Sequence, residues 1–306
     1  MHMTAKRDFL YLADWSKDEL QGLLARAAEL KRWRREGNAY APLAGKSVGL
    51  LFEKASTRTR VSFSVGLYEL GAQVLDLPMS QTQLGRGEPV KDAARVLSRY
   101  LHGLVIRTFA QERLEEFAEW SSVPVINGLT DLHHPCQILA DLLTAQERLG
   151  SIQELKVAWV GDGNNVSHSW IEAASILDFE LRLACPKGYE PDPAILAAAR
   201  ARGAGKVVLC ESPQDAASGA TVVTTDVWAS MGQEEEQARR AKAFAGYQVD
   251  AALMGLADRG AIVLHCLPAH RGEEIAEEVL EGPQSAVFDE AENRLHVQKA
   301  LMAALL

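Results

Sequence analysis

Little in this chain suggests a membrane, a metal centre or a nucleic-acid surface. No apolar run approaches the roughly 18 to 20 residues that a bilayer-spanning helix needs. The opening stretch, Met1-His2-Met3-Thr4-Ala5-Lys6-Arg7-Asp8, has no apolar core of the kind a secretory signal carries. Four cysteines, Cys136, Cys185, Cys210 and Cys266, stand far apart, with neither CxxC nor metal-ligand spacing. None of the 8 histidines has HExxH spacing. Basic residues are outnumbered, 32 against 41 acidic, for a net charge of −9, which argues against non-specific binding to nucleic acid or anionic lipid. These absences leave a reduced, cytoplasmic globular protein as the simplest expectation. Its 306 residues, 47% hydrophobic and 24% charged, suffice for one large or two ordinary domains.

What is present is a steady alternation of short apolar runs with amphipathic stretches. Strands are expected at Ser47–Phe52, Gln73–Leu77, Gly103–Thr108, Pro124–Asn127, Lys156–Val160, Glu180–Ala184, Lys206–Leu209, Thr221–Thr225 and Ala261–Cys266. Helical patterns such as Glu19–Arg32, Asp92–Leu101 and Ile138–Leu149 lie between them. Strands alternating with helices predict parallel sheets covered on both faces. The expected fold is therefore α/β, with two domains, each a parallel sheet flanked by helices, and an active site in the cleft between them. The expected division is residues 1–134, a linking helix over 135–150 closed by Gly150, and residues 151–289. A final helix over about 290–306 would pack back on the first domain.

Ligands of open α/β sheets bind beyond the carboxyl ends of the strands. Ser56, Arg107, His134, Asn165, Asp226 and Cys266 all stand at or just after such an end. The run Ser56-Thr57-Arg58-Thr59-Arg60 opens a helix, ended at Gly71, directly after a strand. Unpaired N–H groups and the positive dipole end attract anions there, and arginine pairs bidentately with phosphate oxygens. This predicts a phosphate seat without a P-loop; the plainer alternative is a capped helix start with solvated arginines. Arg107 ends an apolar strand, either pointing into the cleft or pairing with Glu112. His134-Pro135-Cys136-Gln137 starts a helix with proline at its first position. An imidazole there could donate to a carbonyl oxygen and Gln137 could hold an adjacent amide, unless the histidine is merely a cap.

In the second half, Gly161-Asp162-Gly163-Asn164-Asn165 lacks the third glycine of a dinucleotide fingerprint, since Val166 stands in its place. It reads as a tight turn presenting the Asn165 amide. Asp226, followed by Ser230-Met231-Gly232, offers a carboxylate, a hydroxyl and backbone groups suited to the ammonium and carboxylate of one amino acid. Cys266, in His265-Cys266-Leu267-Pro268, is open to reading as a nucleophile or as a buried, inert strand thiol.

In this order, Ser56-Thr57-Arg58-Thr59-Arg60, His134-Pro135-x-Gln137, Asp226-x-x-x-Ser230-Met231-Gly232 and His265-Cys266-Leu267-Pro268 resemble the motifs of the ornithine carbamoyltransferase family over nearly the whole chain. The resemblance implies transfer of a carbamoyl group from carbamoyl phosphate to L-ornithine, without a metal or organic cofactor. It implies that Ser56, Thr57, Arg58 and Thr59 cradle the phosphate, that Arg107 and His134 hold the carbonyl oxygen, and that Gln137 holds the carbamoyl amide. Gln83 matches a family position that reaches a neighbouring subunit's site, and Arg294 matches a late arginine that contacts carbamoyl phosphate. Asn165, Asp226, Ser230 and Met231 would bind ornithine, with Cys266 and Leu267 beside its side-chain amine. A homotrimer, or a multiple of one, is implied. His133 and the glycines flanking Arg86 depart from the usual pattern. Rival readings are a carbamoyltransferase for putrescine, N-acylated ornithine or aspartate, and a non-catalytic homologue of the same fold.

Overall fold

The computed structural model describes residues 6–203, 206–229 and 236–306. It divides into two compact units, Met1–Leu139 with Arg294–Leu306, and Ala140–Asn293. In the first unit, strands β1 (Ser47–Phe52), β2 (Gln73–Pro78), β3 (Gly103–Arg107) and β4 (Val125–Leu129) form one parallel sheet in the order β2-β1-β3-β4. Helices α1 (Lys17–Arg35), α2 (Arg58–Glu69), α3 (Val90–Leu97) and α4 (Gln111–Trp120) accompany it, and α5 (Pro135–Leu149) follows β4. Leu51, Leu104, Ile106, Leu114, Phe117 and Val125 are buried together in its core. Burial on both faces explains why β1 and β3 read as continuous apolar runs.

The second unit holds β5 (Lys156–Val160), β6 (Glu180–Ala184), β7 (Lys206–Leu209), β8 (Val222–Thr225) and β9 (Ile262–His265), all parallel, in the order β7-β6-β5-β8-β9. Its helices are α6 (Asn165–Leu177), α7 (Pro193–Ala201), α8 (Pro213–Ala217), α9 (Gln237–Ala243), α10 (Ala251–Met254), α11 (Glu277–Leu280) and α12 (Val287–Leu305), the last running on into the first unit. Val160, Val223, Val263, Leu253 and Leu280 are among its core residues. No described helix is long and apolar enough to cross a membrane.

Each sheet has a topological switch point, where successive connections leave in opposite directions and open a crevice at the strand ends. In the first it falls between β1 and β3, in the second between β5 and β8. Most expected elements lie within a residue or two of the observed ones, and Ser47–Phe52, Lys156–Val160, Glu180–Ala184, Lys206–Leu209 and Pro135–Leu149 coincide. The helix expected over Asp92–Leu101 is instead Val90–Leu97. There Ser98 Oγ donates to the Ala94 carbonyl (2.6 Å), as a side chain that competes with the backbone does at a helix end.

Candidate active site

At the β1/β3 switch point the register sets Phe52 beside Arg107, so the chain leaving β1 turns directly past the Arg107 side chain. The following segment opens α2, and the Thr59 N–H donates to Ser56 Oγ (3.2 Å). Thr59 is buried, Ser56 half-buried, and Thr57 and Arg58 are exposed at the helix start. Two buried guanidinium groups meet at Thr59 Oγ1: Arg107 Nη1 at 3.4 Å and Arg294 Nη2 at 2.9 Å. Arg294 comes from α12, and its Nη1 also donates to Gln137 Oε1 on α5 (2.8 Å). The expected phosphate seat and the Gln137 segment thus share one arginine. Arg60 turns outward, bonding Asp76 (3.1 Å).

His134 is buried beside this pair. Burial drives its pKa well below the ordinary histidine value, and the charges of Arg294 and Arg107 drive it further. The imidazole is therefore neutral at pH 7 and offers one N–H and one lone pair. Supports that local sequence patterns do not disclose hold the surrounding turns. The Lys54 ammonium bonds the Asp131 carboxylate and lies 4.4 Å from the Phe109 ring centroid. Glu53 accepts from Thr108 Oγ1 and from Arg113 Nη1, while Thr130 Oγ1 donates to Gln111 Oε1 (2.7 Å). His133 packs edge-on against Tyr11 (5.3 Å). Gln83 begins a short 3₁₀ turn, Gln83–Arg86, and is exposed.

The β5/β8 switch point carries the opposite charge. Asp226 is buried just past β8, and its carboxylate accepts from Asn164 Nδ2 (2.7 Å) and from the Cys266 thiol (3.1 Å). Next to the expected Asn165, the structure brings in a second asparagine. Asn164, not Asn165, caps α6, its Oδ1 accepting from the N–H groups of Val166 (3.0 Å) and Ser167 (3.2 Å). Asn165 is the first helical residue and is half-buried. A preference for asparagine at helix caps marks the Asn164-Asn165 pair in the sequence but does not choose between its two members. Gly163 is needed for packing: a Cβ there would sit 2.3 Å from the backbone of Glu190 and Pro191.

Burial raises the Cys266 thiol well above its ordinary pKa, and Asp226 raises it again, so it is a neutral donor. Leu267 follows with φ of 57°, sparsely populated for a branched residue, and its N–H donates to His265 Nδ1 (2.9 Å). His265 Nε2 lies 3.0 Å from Glu274 Oε1. Among the described residues, Asp226, His265 and Cys266 bring potential metal-ligand atoms within 4.8 Å of one another, a grouping invisible in their spacing. Hydrogen bonds already engage all three. Ser230 and Met231 lie outside the described residues.

The chain matches two family models: the carbamoyl-P binding domain of the aspartate/ornithine carbamoyltransferases over residues 7–147, and their Asp/Orn binding domain over residues 153–305. It is 58% identical over 300 residues to an ornithine carbamoyltransferase of Geobacter sulfurreducens, covering 98% of this chain and 99% of that one. Identity is 59% over 295 residues with the Desulfotalea psychrophila enzyme of that name, covering 96% and 97%. The structure is similar to ornithine carbamoyltransferase from Pyrococcus furiosus, with a TM-score of 0.94 and 45% identity over 99% of this chain and 97% of that one.

Proposed function

The chain belongs to the aspartate/ornithine carbamoyltransferase family, and from that premise we propose how its residues move the carbamoyl group of carbamoyl phosphate onto the δ-amine of L-ornithine, giving L-citrulline and phosphate. Ser56, Thr57, Arg58 and Thr59 receive the phosphate at the start of α2, where the helix dipole and the Arg58 guanidinium favour an anion. Arg107 and neutral His134 donate to the carbonyl oxygen. Gln137 Oε1, oriented by Arg294 at 2.8 Å, accepts from the carbamoyl NH₂. On the amine side, Asp226 takes the positive charge of ornithine, with Asn165, Ser230 and Met231 around the amino acid and Cys266 and Leu267 beside the reacting nitrogen. Residues 1–134 and the terminal helix serve carbamoyl phosphate, 151–289 serve ornithine, and 135–150 link them.

The δ-amine titrates near a lysine, at about 10.4, so the site must select the scarce neutral form or remove its proton. Attack needs the nitrogen within roughly 3–3.5 Å of the carbonyl carbon. The tetrahedral oxyanion then forms against Arg107 and His134, and each such donor is worth about 10²–10³ in rate. Phosphate departs with its charge held by Arg58 and the helix start. Cys266, its one S–H donated to Asp226, is a polar contact beside the substrate amine and not a covalent nucleophile. The observation that most supports this reading is Arg294, 4% exposed, bonded at once to Thr59 and Gln137 and charging the surroundings of His134.

We further propose a cytoplasmic homotrimer acting in arginine synthesis. Tyr68, 79% exposed on α2, and Tyr100, 73% exposed after α3, leave apolar surface for a second copy on the unit that also exposes Gln83. The test is an assay of ureido product from carbamoyl phosphate with ornithine, putrescine, N-acetylornithine or aspartate. Citrulline from ornithine alone is expected. Product from another amine would discard the assignment of Asp226, and no product from any of them would leave a non-catalytic homologue.

A further inference from the structure

Arg240, on α9, lies outside every motif described so far and is 6% exposed. Its Nη1 donates both to Asp162 Oδ2 (2.9 Å) and to the Trp228 carbonyl (2.7 Å). Its Nε reaches Glu236 Oε2 (3.3 Å), and the guanidinium lies 4.8 Å from the Tyr189 ring centroid. Tyr189 packs edge-on against Phe244 (4.9 Å), and Trp228 stacks on the same ring (5.7 Å), so the cation is seated in an aromatic wall. Asp162 belongs to the turn after β5, two residues before Asn164. Trp228 follows β8, two residues after Asp226. The two turns of the switch point are therefore joined twice, by Asn164 to Asp226 and by Arg240 spanning Asp162 and Trp228.

We propose that Arg240 is a positioning residue for the amino-acid half of the reaction, its guanidinium locking the turn after β5 to the turn after β8 so that the Asp226 carboxylate keeps its alignment with Asn164 and Cys266. Lysine cannot do this equally well, because a compact ammonium on a flexible stem lacks the planar group whose Nη1 bonds Asp162 and the Trp228 carbonyl while its Nε reaches Glu236 and its face lies near Tyr189. Asp162 is not itself poised to hold substrate; its carboxylate is occupied by Arg240. The inference rests on Asp226 as an ornithine contact.

The experiment compares Arg240→Gln, Arg240→Lys, the double variant Arg240→Gln/Asp162→Asn, and Asp226→Asn in the full chain. It reads kcat, KM for ornithine, calorimetric affinity for carbamoyl phosphate alone, and Tm. Arg240→Gln is expected to raise KM for ornithine about ten- to a hundredfold, the loss of a buried charge-assisted tether, with carbamoyl phosphate affinity unchanged. Arg240→Lys should fall between Gln and the parent. The single Gln variant leaves the Asp162 carboxyl buried without its cation, and if it does not fold, the double variant carries the test, since it removes both ionisable groups. Recovery of Tm with KM for ornithine still raised supports positioning. Recovery of both together, an unchanged KM in Arg240→Gln, or an equal loss of carbamoyl phosphate affinity would overturn it. An unchanged KM in Asp226→Asn would instead discard the assignment of Asp226 on which the inference rests.

Discussion

At the β1/β3 switch point the chain gathers arginines around His134; at the β5/β8 switch point it gathers carboxylates around Cys266. Both crevices arise from the same parallel topology, so geometry alone does not choose their sign. His134 in the one and Cys266 in the other are both shifted in pKa, and burial is the largest influence on each. Burial disfavours imidazolium and thiolate alike, and neighbouring charge reinforces it: Arg294 and Arg107 for His134, Asp226 and Glu290 for Cys266. Opposite surroundings thus yield the same product, a neutral hydrogen-bond donor at pH 7. A pocket of one sign selects an anion or a cation, and a neutral donor inside it serves an atom whose charge changes during reaction.

The contrast breaks most visibly at the exposed edge of the cationic crevice. Arg58→Gly is expected to lower turnover by about 10³ or more, because the variant has no guanidinium to bond the phosphate. Tm should stay near the parent's, since the side chain is exposed. Near-normal turnover would remove α2 from the phosphate assignment. In the anionic crevice the effect is milder. Cys266→Ser should raise KM for ornithine by about three- to tenfold, since a hydroxyl replaces a donating thiol, and iodoacetamide at pH 7.5 should leave Cys266 unmodified. A covalent acyl adduct at Cys266 found by mass spectrometry, or rapid alkylation, would make it a thiolate and end the symmetry.

The smallest effect concerns acid stability. The folded-state pKa of His134 lies below its unfolded value near 6.5, so the unfolded chain binds the proton more readily. Stability from this group is full above that value and falls as the pH drops below it, by at most about 1.4 kcal/mol per pH unit. His134→Asn should flatten the decline of Tm between pH 7 and pH 5; an unaltered slope would mean that His134 is charged in the folded protein.

Much of this was legible from local pattern, because apolar runs ended by polar motifs mark strand ends whatever the partner strands are. β1, β5, β6 and β7 kept their expected limits for that reason. The positions that escaped depend on pairs distant in sequence or on single dihedral angles. Asn164 and Asn165 are chemically identical, and only the cap geometry decides which side chain reaches Asp226. Lys54 meets Asp131, and Arg240 meets Asp162, across 77 and 78 positions, which no periodicity encodes. The shared tether of Thr59 and Gln137 to Arg294 likewise exists only once the chain has folded.

That tether also has a history in time. Arg294 lies 235 positions beyond Thr59. At synthesis rates of about 5–20 residues per second, roughly ten to fifty seconds separate the making of the two residues. During that interval β1 to β4 can pair on the ribosome, yet the arginine that joins α2 to α5 has not been made. The link from Thr59 through Arg294 to Gln137 is therefore closed only near the end of synthesis, after the other parts of the anion seat have been made.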